Sequence, residues 1–205
     1  MKKLINSIKY DKKTMTILNV IAITGIIAGS IFVTILSKKD KTLIVNSLNN
    51  YFSFFKSSNV SIINEFKRIF LTNFFIIFII WIIGISVIGV LLVISFIFYK
   101  SFILGFSISS LIYTYSYKGA IISFVYIFPH MIINLLIFLF ISCYSLKLST
   151  ILVKSILKRQ NLNFKSFINS YVKIFIISLI FILLTSIYEA VIMPIILKGL
   201  IKMIM

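Results

Sequence analysis

The chain has 205 residues, 60% of them hydrophobic and 12% charged, and a mean hydropathy of +1.14. A soluble domain cannot hide that much apolar surface, and the charges fall between long apolar runs, as in a multi-span membrane protein. The 21 basic residues against 4 acidic ones give a formal charge of +17, which suits an anionic bilayer surface and also follows from a Lys- and Ile-rich, AT-biased composition. Only Arg68 and Arg159 are arginines and no basic cluster alternates with exposed aromatics, so nucleic acid is a poor partner. A lone cysteine, Cys143, gives neither a disulfide framework nor metal-ligand spacing.

The expected fold is an all-α polytopic bundle of about five transmembrane helices plus short amphipathic helices, forming one integral membrane domain over residues 1–205. A basic N-terminal stretch leads into the first span, 16–36, which is longer than a signal-peptide core and reads as an uncleaved anchor. In the loop 37–73, Ile44, Leu48, Tyr51 and Phe55 recur at helical spacing, and so do Ile62, Phe66 and Ile69. These sets predict two short amphipathic helices. The second span is 74–98. A turn at 99–101 leads to a weaker, serine-rich segment, 102–117, then to spans at 120–146 and 174–197. If 102–117 crosses, twelve basic residues lie inside and nine outside with the N-terminus cytoplasmic; if it re-enters, those numbers exchange. The positive-inside rule therefore favours five crossings, with the C-terminus outside.

Few residues in the spans are not explained by greasiness. Gly25, Gly29, Gly84, Gly89 and Gly105 are helix-packing candidates, and Gly25 with Gly29 forms a G-x-x-x-G stripe. That stripe serves either a neighbouring helix of the bundle or a partner's anchor. Pro129 and Pro194 predict helix kinks. His130 and Asn134 share a helix face, and Glu189 is the only acid inside a predicted span. Their comparable depth predicts one buried polar cluster of His130, Asn134 and Glu189. It serves as an interhelical clamp, a proton or ion relay, or a partner-binding surface. No H-E-x-x-H, C-x-x-C, G-x-S-x-G or P-loop pattern occurs, so the residues predict neither catalysis nor a cofactor or metal.

In order along the chain, "WIIGISVIGV" (81–90), "YKSFILGFSISSLIY" (99–113), "KGAIISFVYIFPHMIINLL" (118–136) and "SIYEAVIMPIIL" (186–197) resemble the stage II sporulation protein M family. In that family the fourth span commonly reads Pro-His-Gly-x-x-Glu. Here Pro129 and His130 match, while Met131 and Asn134 replace the glycine and the glutamate. The departure suits a neutral clamp better than a conductive or catalytic carboxylate. The resemblance implies a scaffold without enzymatic activity in the septal and engulfing membrane of the mother cell. Its partners there would be stage II sporulation proteins P and D, the peptidoglycan-degrading enzymes that thin septal wall during engulfment. Tyr51, Phe52, Phe54 and Phe55 offer a docking patch for them, or else lie flat on lipid. The wider family leaves room for a small permease-like subunit that uses His130 and Glu189 as a relay.

Overall fold

The computed structural model describes residues 12–57, 61–86, 88–158 and 164–204. Among these residues six α-helices follow one another: α1 (Lys12–Ile35), α2 (Lys38–Ser57), α3 (Ile62–Gly84), α4 (Gly89–Ile122), α5 (Phe128–Lys158) and α6 (Phe164–Ile204). A π-helical turn, Ser123–Ile127, joins α4 to α5. Four stretches are long and apolar enough to cross a membrane: Lys12–Ile35, Ile62–Gly84, Gly89–Val153 and Ile168–Leu200.

The third stretch is 65 residues long and folds back on itself. At Ser116 the backbone turns to φ 51° and ψ −128°, the sole positive-φ non-glycine residue among those described. Past that point the chain runs antiparallel to where it came from: Ser123 Oγ lies 3.4 Å from Ile108 O, and Phe96 packs edge-on against Phe138. A Cβ at Gly119 would strike the Leu111 carbonyl, so the return leg comes as close as backbone permits. The stretch thus makes two passes, and the bundle makes five.

The break before α4 lies at 85–88 and not at 99–101, where α4 is unbroken helix. Tyr99, Lys100 and Ser101 suggest a turn because they are polar, but no residue there opposes helix. The true break falls between Gly84 and Gly89, where Ile85 and Ser86 donate to Ile82 O and Ile83 O in tight i→i+3 bonds. Segment 102–117 is accordingly the second half of a full-length pass. The set Ile62, Phe66 and Ile69 begins α3 and forms no separate amphipathic helix.

One side of α1 presents Leu18, Ala22, Gly25, Gly29 and Val33, all buried. This stripe meets α4 in parallel: a Cβ on Gly25 would come 2.8 Å from Phe98 O, and on Gly29 it would collide with the Phe102 carbonyl. Gly105 faces Ile26 O in the same way, and Ser30 Oγ and Ser109 Oγ exchange bonds with Gly105 O and Ser30 O at 3.3 and 3.2 Å. Because α4 fills the Gly25/Gly29 stripe, no partner anchor can pack on it.

Running α1 parallel to α4 places the end of α1 beside the reversal at Ser116. The amphipathic α2 crosses that same end. Ser37 caps it, accepting from Asp40 N at 3.2 Å and donating to Asp40 Oδ2 at 2.6 Å. Lys41 Nζ reaches back 2.8 Å to Thr34 O, one of the carbonyls left open at the end of α1. Helices α3 and α5 run one way, α1, α4 and α6 the other, with the apolar core at Ile77, Ile80, Ile97, Leu104, Ile141 and Ile182.

Gly29→Leu should cost about 3 kcal/mol of unfolding free energy in detergent, from overpacking against backbone that cannot yield. Gly199→Leu should cost less than about 0.5 kcal/mol, because nothing lies within 4 Å of a Cβ there. Ser116→Gly should instead raise the melting temperature, recovering about 1 kcal/mol of backbone strain. Equal losses at Gly29 and Gly199, or a lowered melting temperature for Ser116→Gly, would contradict this packing.

Candidate functional site

Pro129 has no N–H to offer the preceding turn. The chain widens just ahead of it into the π-helical turn, in which Phe128 N–H reaches back to Ser123 O. His130 follows on α5, and its Nδ1 lies 2.5 Å from Tyr126 O. A carbonyl can only accept, so Nδ1 carries the ring proton and Nε2 is turned toward α6. There Glu189 Oε1 stands 4.0 Å away. That separation is an ion pair when the imidazole is protonated and too long for a hydrogen bond.

One turn along α5, Asn134 closes the other side. Its Nδ2 donates to Glu189 Oε2 at 3.4 Å, and its Oδ1 accepts from Thr185 Oγ1 at 3.1 Å. The chain Thr185–Asn134–Glu189–His130 therefore ties α5 to α6, with a fixed direction of hydrogen bonding through the amide. His130, Asn134 and Glu189 come together in space. Pro194 lies inside α6, which continues through it to Ile204.

The cluster is not sealed between two helices. A cavity of about 620 Å³ lies under α2, and His130 and Glu189 stand in its wall with Glu65, Arg68 and Tyr126. A second cavity of about 190 Å³ adjoins it one to two helical turns deeper, bordered by Asn73, Lys100, Asn134 and Phe138. Arg68, Ile69, His130, Met131 and Glu189 belong to both walls. The polar groups thus separate two compartments reached from the α2 end.

Helix α2 roofs the larger compartment. Tyr51 OH lies 2.9 Å from Tyr126 OH, and Tyr115 OH donates to Asn49 Oδ1 at 2.7 Å. Phe52 and Phe55 are 2% and 7% exposed and pack toward Leu111, Ile122, Ile127 and Leu197. They do not form an outward docking patch, because α2 lies on the bundle and its apolar face is spent there. Tyr51 keeps 41% of its surface exposed. The Phe54 side chain lies outside the described residues. So do the side chains of Lys154, Lys158, Phe164 and Phe167 on the helix faces of the basic segment.

A second polar junction sits at the opposite end. Helix α3 stops at Gly84 and leaves its last carbonyls without helical partners. Tyr171 OH donates to Trp81 O at 2.8 Å, Ser145 Oγ to Ile80 O at 3.0 Å and Ser149 Oγ to Ser86 O at 2.6 Å. Tyr171 also stacks on Trp81 at 5.8 Å between ring centres. A Cβ on Gly84 would run into the Tyr171 hydroxyl, and one on Gly89 into the Ile83 carbonyl.

Sequence reasoning misses Arg68 and Lys100 as parts of the site. Arg68 is assigned to a loop, and Lys100 to a turn that does not exist. The usable signal for Lys100 is the uninterrupted helix-compatible run on both sides of it, which puts a cation well inside a span. Tyr171 and Ser145 leave no local pattern, since their role depends on where α3 ends.

A family model described as Stage II sporulation protein M matches residues 18–194. No curated protein and no solved structure matches the chain.

The amide at 134 is the group that orients Glu189. Asn134→Leu should lower stability by about 1–3 kcal/mol, the cost of leaving a part-buried polar acceptor without its donor. Glu189→Gln keeps a carbonyl oxygen for Asn134 Nδ2 and should cost less than about 1 kcal/mol. Thermal unfolding of the purified variants measures both; a larger loss for Glu189→Gln than for Asn134→Leu would show that charge, and not the amide link, holds the helices.

Proposed function

The chain belongs to the stage II sporulation protein M family, and we propose that it is a membrane scaffold for the peptidoglycan hydrolases of engulfment. It is a sporulation membrane protein with four long apolar stretches, one of which folds back on itself at Ser116. In the proposed role it recruits and holds stage II sporulation proteins P and D at the septal and engulfing membrane of the mother cell, with no chemistry of its own. The α2 end and the C-terminus face the wall, and the N-terminal end faces the cytoplasm.

The observation that carries this reading is the way α2 is fastened. A helix held only by lipid would give a partner no fixed surface. Helix α2 is held by Phe52 and Phe55 in the core, by the Tyr51–Tyr126 pair and by Tyr115 on Asn49. Its opposite face presents Thr42, Asn46 and Asn50 at helical spacing, all exposed. A rigid polar helix at the wall-facing end is the surface a hydrolase outside the membrane can use.

A second reading has its own observation. His130 and Glu189 border a cavity that reaches the α2 end, as a permease-like subunit with a polar relay would require.

Deleting the gene in its native host should disperse a fluorescent fusion of the hydrolase from the septum and stop engulfment. Restoring the chain with His130→Ala and Glu189→Gln together should return the fusion to the septum and return engulfment with it. A double variant that is folded and keeps the hydrolase at the septum, yet fails to engulf, would sink the scaffold reading in favour of the relay. Substituting Thr42, Asn46 and Asn50 with Glu should release the hydrolase while leaving the bundle folded.

A further inference from the structure

Lys100 is the half-buried feature that neither reading uses. It sits eleven residues into α4, well within a pass, and its ammonium stands 5.9 Å from the ring centres of both Phe96 and Phe138. Among the described residues no carboxylate lies within ion-pair distance of it. A cation held in hydrocarbon without a counter-charge is expensive, and two aromatic faces offset only part of that cost. The smaller cavity that Lys100 borders also has Arg68, His130 and Glu189 in its wall, and Arg68 is ion-paired with Glu65. Glu189 is already engaged by Asn134 and faces His130. With Arg68 paired to Glu65 and His130 facing Glu189, Lys100 is the one cation of this compartment without an acid beside it among the described residues.

The adjoining larger compartment has the opposite character. Apolar side chains make most of its wall, among them Leu43, Ile44, Leu48, Phe52, Phe55 and Phe106. A free inorganic anion would leave that apolar wall uncovered, and a plain hydrocarbon would leave Lys100 unpaired. The Arg68 side chain is 67% exposed and stands where the two compartments meet, so the polar passage is open to the surface there. Ser110, buried and without a hydrogen-bond partner, also borders the larger space.

We propose that the paired cavities bind an amphiphile with an acidic head, a carboxylate or phosphate on an alkyl chain. The head lies between Lys100, Arg68 and His130, and the tail lies under α2. The acid enters first and the chain follows, filling the space that Phe52 and Phe55 roof. This site is independent of hydrolase anchoring, and its test does not involve the hydrolase.

The test uses the full chain reconstituted in phosphatidylcholine nanodiscs, titrated with carboxyl-labelled oleate followed by NMR. Oleate should bind saturably and oleyl alcohol should not. Lys100→Met should weaken oleate binding about tenfold, the equivalent of about 1.4 kcal/mol, whereas Lys100→Arg should keep it. Ser107→Trp leaves the cation in place and fills the larger compartment, whose wall includes Ser107. It should weaken binding about as much, so the proposal does not depend on Lys100→Met folding. Competition by dioleoyl phosphatidic acid distinguishes the natural source: displacement of oleate identifies a phospholipid head, and failure to displace it identifies a free fatty acid, both within the proposed class. Equal binding of oleyl alcohol, unchanged binding in both Lys100→Met and Ser107→Trp, or displacement of oleate by inorganic phosphate alone would overturn the proposal.

Discussion

The arrangement depends on two helices running in the same direction at backbone contact. In a bilayer, packing of apolar side chains gains little over lipid contact, so helices associate through close dispersion contact and direct polar bonds. Helices α1 and α4 obtain both from missing Cβ atoms at Gly25, Gly29 and Gly105 and from the Ser30 and Ser109 bonds across the seam. A parallel pair cannot be joined by a short turn, because the chain must first return to the starting side. Helix α3 makes that return, and α2 spans the distance from α1 to α3 along one end. The amphipathic roof is thus a consequence of the glycine seam, and the cavity beneath it follows from the roof.

The bilayer supplies the second constraint. A carbonyl released where a helix stops or folds back has no water to turn to within the hydrocarbon. Hydroxyls serve here: Tyr171 and Ser145 take Trp81 O and Ile80 O near the end of α3, and Ser149 adds a second donor to Ser86 O in the break that follows. Hydroxyls suit the task because they donate without carrying charge.

How much of this is legible from the residues depends on whether the signal is local. The apolar runs, the amphipathic face of Ile44, Leu48, Tyr51 and Phe55, and the small-residue stripe of α1 are periodic features, and each lies on one helix. The register between helices is not local. Polar "YKS" reads as a turn because composition marks polarity but cannot show that Lys100 lies over Phe96 and Phe138. The break between Gly84 and Gly89 lies in a mostly apolar stretch, and only Ser86 and the two flanking glycines hint at it. The face of α2 is legible, but its direction is not. Phe52 and Phe55 point to the core because the reversal at Ser116 brings Leu111 and Ile122 beneath them, a contact between residues about 60 apart in the chain.

The same distinction explains the chemistry of residue 134. The position faces Glu189 across 3.4 Å. A second carboxylate there would set two like charges side by side, and one of them would have to hold a proton for the pair to persist. Such a shared proton is what a relay needs and what a stable joint between helices avoids. Asn134 removes the ambiguity: its amide nitrogen can only donate and its oxygen can only accept, so the order Thr185 to Asn134 to Glu189 is set without any ionisation. His130 is oriented by the same logic, with Nδ1 committed to Tyr126 O through the widened turn ahead of Pro129. Glu189 is therefore held from one side by a neutral donor, and only its second oxygen faces a group that can change charge. That leaves the wall between the two cavities held by neutral hydrogen bonds, with the His130–Glu189 pair bordering both.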